Sequence, residues 1–89
     1  MDELDERIRS LIPSEEGSEI VDVILKNMSE AIVVRTKEWR GEDYIDIRIF
    51  ALVTGKWTRK GLFLNPKLAE RIRNALDEAL KVVSVEEKE

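Results

Sequence analysis

Cysteine, histidine and glutamine are all missing from this chain. Without thiols there is no disulfide and no thiolate metal site. Without imidazole, the commonest general base and the commonest metal ligand are both gone. Proline occurs twice and glycine four times, so each instance carries weight as punctuation. No apolar run reaches the length of a membrane span and no signal-peptide pattern is present, which sets the expectation of an intracellular protein. The missing glutamine, beside dense Lys, Arg and Glu, hints at a thermophilic source.

What is present suits one small domain. Eighty-nine residues do not support two separate cores. Hydrophobic content of 43% is ordinary, whereas charged content of 38% is high. A core this small gains stability from a partner subunit. The net charge of -4 argues at first against an anionic partner, but placement matters more than the total. Residues 1–30 hold 3 basic and 9 acidic side chains, a net of -6. Residues 31–61 hold 7 basic and 4 acidic, a net of +3, and residues 62–89 hold 5 and 6, a net of -1. The middle of the chain is the cationic part.

Taken in order, residues 1–13 place Leu4, Ile8 and Leu11 at helical spacing, with acids in the first turns and Pro13 as a stop. The expectation for residues 1–18 is an acidic, solvated arm with a short helix as its ordered form. The alternative is an arm that docks on a partner or covers the basic face. Residues 13–18 read as a linker. Residues 19–26 (E-I-V-D-V-I-L-K) read as a first strand and 31–39 as a second. Gly41 can supply the positive φ of a tight reversal. A third strand runs from about 44 to 53, with Ile45, Ile47, Ile49 and Ala51 expected to face the core. After a turn at Thr54-Gly55, a fourth spans 56–64 with Leu62 and Leu64 inward. Asn65 as N-cap and Pro66 at the first helical position then start a helix. Its stripe of Leu68, Ile72, Leu76 and Leu80 is wider than packing on one sheet requires. The domain proper is 19–84, and 85–89 is a charged tail.

Strand parity gathers chemistry on one side. If the faces opposite the isoleucines line up, one sheet surface collects Arg35, Lys37, Trp39, Tyr44, Arg48, Phe50, Trp57, Arg59 and Phe63. Asp46 is the exception there, placed to orient Arg35 or Arg48 across the strands. Aromatics are most often packed, so the plain reading is a second core under the N-terminal segment or a subunit. Four cations of the same parity favour another reading. A base offers a flat π surface whatever its identity, and Arg and Lys neutralise the backbone. Glu42, Asp43 and Asp46 also form a carboxylate group of the kind that holds a metal in nucleases. No histidine joins them, and acids on a hairpin more often solvate it or pair with cations. The glycines are separated by strands and do not form a phosphate-binding loop.

The block E-W-R-G-E-D-Y-I-D-I-R-I-F, followed by R-K-G-L-F-L-N-P and an amphipathic helix, resembles the DNA-binding domain of the transcriptional coactivator positive cofactor four family. The resemblance covers roughly residues 31–80. It implies an α+β fold, a strongly curved four-stranded antiparallel sheet followed by one C-terminal helix (ββββα, Whirly-like), as a homodimer. It also implies binding of single-stranded or melted DNA without strong sequence preference. Trp39 and Arg40 stand where the family has Phe and Lys that hold DNA. Arg48 matches the Arg of I-D-I-R, and Lys60 matches the Lys before Gly61. Phe50 falls at the family's aromatic pair, whose second member is here Ala51. Glu42 replaces a common Lys, and the hairpin before Trp57 is shorter and lacks its proline, which suggests Trp57 as a substitute stacking platform. The regulatory arm of eukaryotic members is missing, so coactivator activity is not carried over.

The resulting expectation is a non-enzymatic single-stranded DNA-binding homodimer, with RNA as a second candidate ligand. The expected nucleic-acid residues are Arg35, Lys37, Trp39, Arg40, Arg48, Phe50, Trp57, Arg59 and Lys60. The expected dimer seam is Leu68, Ile72, Leu76 and Leu80. No cofactor, small-molecule substrate or membrane is implied. Such a protein would be cytoplasmic and nucleoid-associated in a prokaryote, nuclear in a eukaryote. The rival is an acidic protein-interaction module that binds no nucleic acid.

Overall fold

Four strands follow one another along the chain and pair in that same order. In the computed structural model, which describes residues 3–87, β1 (Ser18–Asn27), β2 (Glu30–Trp39), β3 (Glu42–Ala51) and β4 (Lys56–Leu64) form one antiparallel sheet, ordered β1-β2-β3-β4. A short helix, α1 (Glu3–Leu11), precedes the curved sheet, and a long one, α2 (Pro66–Glu87), follows it. The β2–β3 turn is two residues, Arg40 and Gly41, with φ of 52° and 78°. Positive φ at both positions is the type I′ geometry that matches strand twist. It fixes Trp39 opposite Glu42 and runs without a bulge to Glu30 opposite Ala51. The pairing of β3 with β4 is irregular: Arg48 lies opposite Gly61 and Phe50 opposite Trp57, so β4 spends two extra residues there. Thr58 braces this stretch by donating from its hydroxyl to the Ile49 carbonyl at 2.8 Å.

The helix start expected at Asn65 is present. Its Oδ1 accepts the Leu68 N–H at 2.8 Å, satisfying one of the orphan donors of the first turn. α2 continues through Glu87, so the tail expected at 85–89 begins inside the helix; residues 88 and 89, like 1 and 2, lie outside the described residues. α2 touches the sheet through its first turns, where Pro66 and Ala69 lie beside Ile45. Farther along, Leu76 and Leu80 are 58% and 64% exposed.

The core lies on the face opposite to the one expected. Ile8 of α1 and Ile12 just beyond it pack over Val23, Ala31, Val33 and Phe50, with Ile20, Leu25, Leu52 and Trp57 around them. Ile45, Ile47 and Ile49, expected inside, are only half-buried, and Leu62 is exposed. The parities expected for β2, β3 and β4 match the observed pairing. What inverted the faces is α1, which docks as a helix against the sheet and does not stay a solvated arm. Ile8 and Ile12, about one helical turn apart, remove their apolar surface and that of Phe50 from water together.

Candidate nucleic-acid interface

Cross-strand register places the expected face together. Arg35 lies opposite Asp46, Lys37 opposite Tyr44, and Trp39 opposite Glu42; Asp46 lies opposite Phe63 and Phe50 opposite Trp57. From the β2–β3 turn toward the opposite end of the sheet, this one surface divides into three zones of different chemistry.

The zone nearest the turn is aromatic and open. Trp39 is 48% exposed and Phe63 43%. The Tyr44 and Phe63 rings stack, with centroids 4.6 Å apart and planes at 24°. Trp39 meets both edge-on, at 6.1 Å and 6.5 Å. The Arg40 guanidinium lies over the Trp39 ring, 4.5 Å from its centroid, within cation–π range. Tyr44 donates its hydroxyl to Glu42 at 3.1 Å, and this hydrogen bond raises the phenol above its ordinary value. Tyr44 and Phe63 were read on this face from parity but not singled out as binding residues. Their signal was the register itself, which sets Tyr44 across from Lys37, two residues before Trp39.

The middle zone is ionic. Asp46 is 1% exposed, and its carboxylate accepts from Arg35 Nε at 2.8 Å and Arg48 Nη2 at 2.9 Å. Burial alone would push its pKa up, but hydrogen bonds from Arg48 and Arg35, reinforced by their charges, hold it below the ordinary value. Arg48 also donates to the Thr58 carbonyl at 3.2 Å. Arg35 is itself buried and stacks over Trp57, 4.1 Å from the ring centroid. Glu15, from the linker between α1 and β1, reaches Arg35 Nη1 at 2.7 Å and Lys37 Nζ at 3.1 Å. Its carboxyl is lowered first by the Lys37 hydrogen bond and further by Arg35, against a smaller opposing effect of burial.

The third zone is core. Phe50 is 1% exposed beneath α1, and Trp57 is half-buried edge-on to it at 5.0 Å. Phe50 therefore offers no ring face to a surface ligand, and Arg35 offers only its outer edge. For Phe50 the structure corrects the expected surface, because apolar closure by α1 buries it; Arg35 stays at the edge of that surface, paired with Asp46 and Glu15. Arg59 is exposed on the irregular stretch of β4. Lys60 is set apart from the aromatic zone, beside Lys26, Ile32, Ile47 and Ile49 on the isoleucine face. Its even parity, shared with Leu62 and Leu64, already carried that signal. Among the described residues, no group of three or more acidic side chains is placed to hold a metal, and Asp46 is committed to its two arginines.

The arrangement combines an exposed π surface with fixed cations, which suits a flat, anionic, sequence-tolerant ligand. The family model described as transcriptional coactivator p15 (PC4) matches residues 26–75. No curated protein and no solved structure matches the chain.

Proposed function

The chain belongs to the transcriptional coactivator p15 (PC4) family, a family of DNA-binding, non-enzymatic coactivators, and from that premise we propose that it binds single-stranded DNA with little sequence preference. The observation that carries this reading is the open cluster of Trp39, Tyr44 and Phe63, capped by Arg40 and adjoined by Lys37. Unpaired bases stack on such rings for about 1–3 kcal/mol each, whatever their sequence. A duplex keeps its bases stacked internally and presents only phosphates, so it loses that contribution. The role that follows is to hold or protect melted DNA.

The same reading makes the protein a homodimer. α2 leaves Leu68, Leu76, Leu80 and Val83 exposed along its length, and Ile72 is half-buried among them. A second copy laid on this stripe removes it from water, next to the half-covered isoleucine face of the sheet.

Tryptophan fluorescence tests the proposal, with oligo-dT, duplex of equal length, and RNA as titrants. The single strand is expected to quench and to bind at least about tenfold tighter than duplex, a difference of roughly 1.4 kcal/mol. Equal affinity for the two overturns the stacking argument. No quenching by any of the three favours the protein-interaction reading, in which the α2 stripe binds a different protein.

A further inference from the structure

Glu15 sits where an incoming phosphate would have to sit. We propose that Arg35 and Lys37 form a phosphodiester subsite, and that the unliganded chain fills it with its own Glu15 carboxylate. This rests on the single-strand reading above and adds an internal competitor to it.

The geometry is that of a bidentate anion. One Glu15 oxygen lies 2.7 Å from Arg35 Nη1 and the other 3.1 Å from Lys37 Nζ. A phosphodiester also presents two charged oxygens, and guanidinium and ammonium groups recognise both anions by the same donors. The Arg35 side is preorganised. Its Nε is held by Asp46 at 2.8 Å and its plane is stacked on Trp57, so the Nη1 edge points at one place whether or not Glu15 is there.

Glu15 can leave that place without unpacking the fold. It lies outside regular structure, between α1 and β1, with its side chain 43% exposed. α1 is anchored by other contacts: Ile8 and Ile12 in the core and a hydrogen bond from Arg9 Nη2 to the Ile20 carbonyl at 2.6 Å. A hollow of about 320 Å³, lined in part by Arg9, Glu15 and Arg35, adjoins the ion pair and leaves room for the departing side chain or the arriving phosphate.

The exchange has a physical rationale. Arg35 is nearly buried and shares the single Asp46 carboxylate with Arg48, so without a second anion the cluster holds an excess positive charge, which is costly where water is scarce. With Glu15 as resident anion, the site is compensated when empty and compensated again when DNA replaces it. Ligands that contact Arg35 must first displace a carboxylate, which weakens every such ligand alike.

The test uses the full chain and oligo-dT over a range of salt. Glu15→Gln keeps the shape and removes the charge. It is expected to bind about two- to fivefold tighter at low salt, the fold-change equivalent of a partly exposed ion pair. Its dependence of log affinity on log salt should stay that of the parent, because DNA displaces Glu15 there too and the same phosphates shed their counterions. Glu16→Gln makes the same change in net charge at the exposed neighbour and should match the parent in both readings. If Glu15→Gln does not fold, Glu15→Asp serves instead: it keeps the charge, is too short to span both cations, and should also tighten binding. A parent that binds while the Glu15 variants bind no tighter overturns the internal competitor and leaves single-strand binding standing. An equal gain in Glu16→Gln does the same. Failure of parent and variants alike to bind oligo-dT overturns both readings.

Discussion

Asp46→Asn removes one charge and almost no volume, yet it should rank among the most damaging substitutions in the chain. The native carboxylate has acceptor oxygens only, and both are used: Oδ2 takes Arg35 Nε at 2.8 Å, Oδ1 takes Arg48 Nη2 at 2.9 Å. An amide offers one acceptor and one donor group, and arginine can only donate. Whichever way the new amide turns, one arginine faces an N–H. Arg48, with a side chain 21% exposed, can swing toward water; Arg35, at 6%, cannot. The oxygen will therefore go to Arg35, and Arg48, opposite Gly61 in the sheet, will lose its 2.9 Å bond from Nη2 and keep only the long contact of its Nε with that oxygen, at 3.3 Å. Breaking a buried pair from one side costs about 3–5 kcal/mol. Glu15 still compensates Arg35 and Arg48 keeps the Thr58 carbonyl, so the expectation is the low end, about 3 kcal/mol. A chain of 89 residues has on the order of 4–13 kcal/mol in total, so the loss is a large share. Urea unfolding followed by tryptophan fluorescence, at one protein concentration because association adds to stability, measures it. A loss under about 1 kcal/mol would refute the claim that the carboxylate's charge holds this zone together.

The same structure sets four further expected outcomes. Trp39→Ala should cost roughly 1–3 kcal/mol of single-strand affinity with little change in salt slope, whereas Trp57→Phe should leave both affinity and most of the DNA-dependent quenching intact, because Trp57 lies against Phe50; the reverse pattern in fluorescence titration would move the site to the other end of the sheet. Leu76→Asp should dissociate the proposed dimer or prevent folding, since it places an unpaired charge in the proposed seam; light scattering that finds the unmodified chain monomeric at micromolar concentration contradicts that seam. Gly61→Ala should destabilise by about 1–3 kcal/mol, because a Cβ there falls on the Ile47 carbonyl oxygen and within 2.9 Å of the Arg48 Cα, both backbone atoms; a melting temperature equal to the parent's would refute it. Asp46 and Glu15 have folded pKa values below their ordinary 3.8 and 4.5, so their contribution is complete above the unfolded values and is lost as pH falls through the lower, folded ones; acid titration of stability should be shallower in Asp46→Asn than in the parent.

Much of this surface was legible because a strand has a period of two. I-D-I-R-I-F separates its side chains without ambiguity, so Asp46, Arg48 and Phe50 were assigned to one face and the isoleucines to the other. Which face is buried is a tertiary fact. It depends on where Ile8 and Ile12 dock, and Leu11, read as part of the helical stripe, is exposed while Ile12 is in the core. The sequence did contain a clue: Ala31, Val33 and Phe50 are apolar residues on the supposed outer face, more than a solvated surface needs. The partner of Asp46 was expected as Arg35 or Arg48, and it is both. Glu15 was invisible to pattern reading, because its importance lies in reaching across twenty residues from an irregular linker.

The buried Arg35–Asp46 pair also discriminates between alignments of neighbouring strands. β3 repeats isoleucine at every second position, and β2 answers it with Ile32, Val34 and Thr36. Slipping one strand by two residues would leave that apolar face almost unchanged, so hydrophobic matching alone barely distinguishes the alternatives. The other face distinguishes them sharply. A slip in one direction sets Arg35 against Arg48, two cations with little water between them, and trades the buried Arg35 for the more exposed Lys37 as the residue opposite Asp46. A slip in the other sets Asp46 against Val33, a carboxylate with no donor at its partner position. Asp46 thus acts as a key cut for one tooth of the opposing strand, and mispaired sheets are rejected by charge where oily side chains would have accepted them.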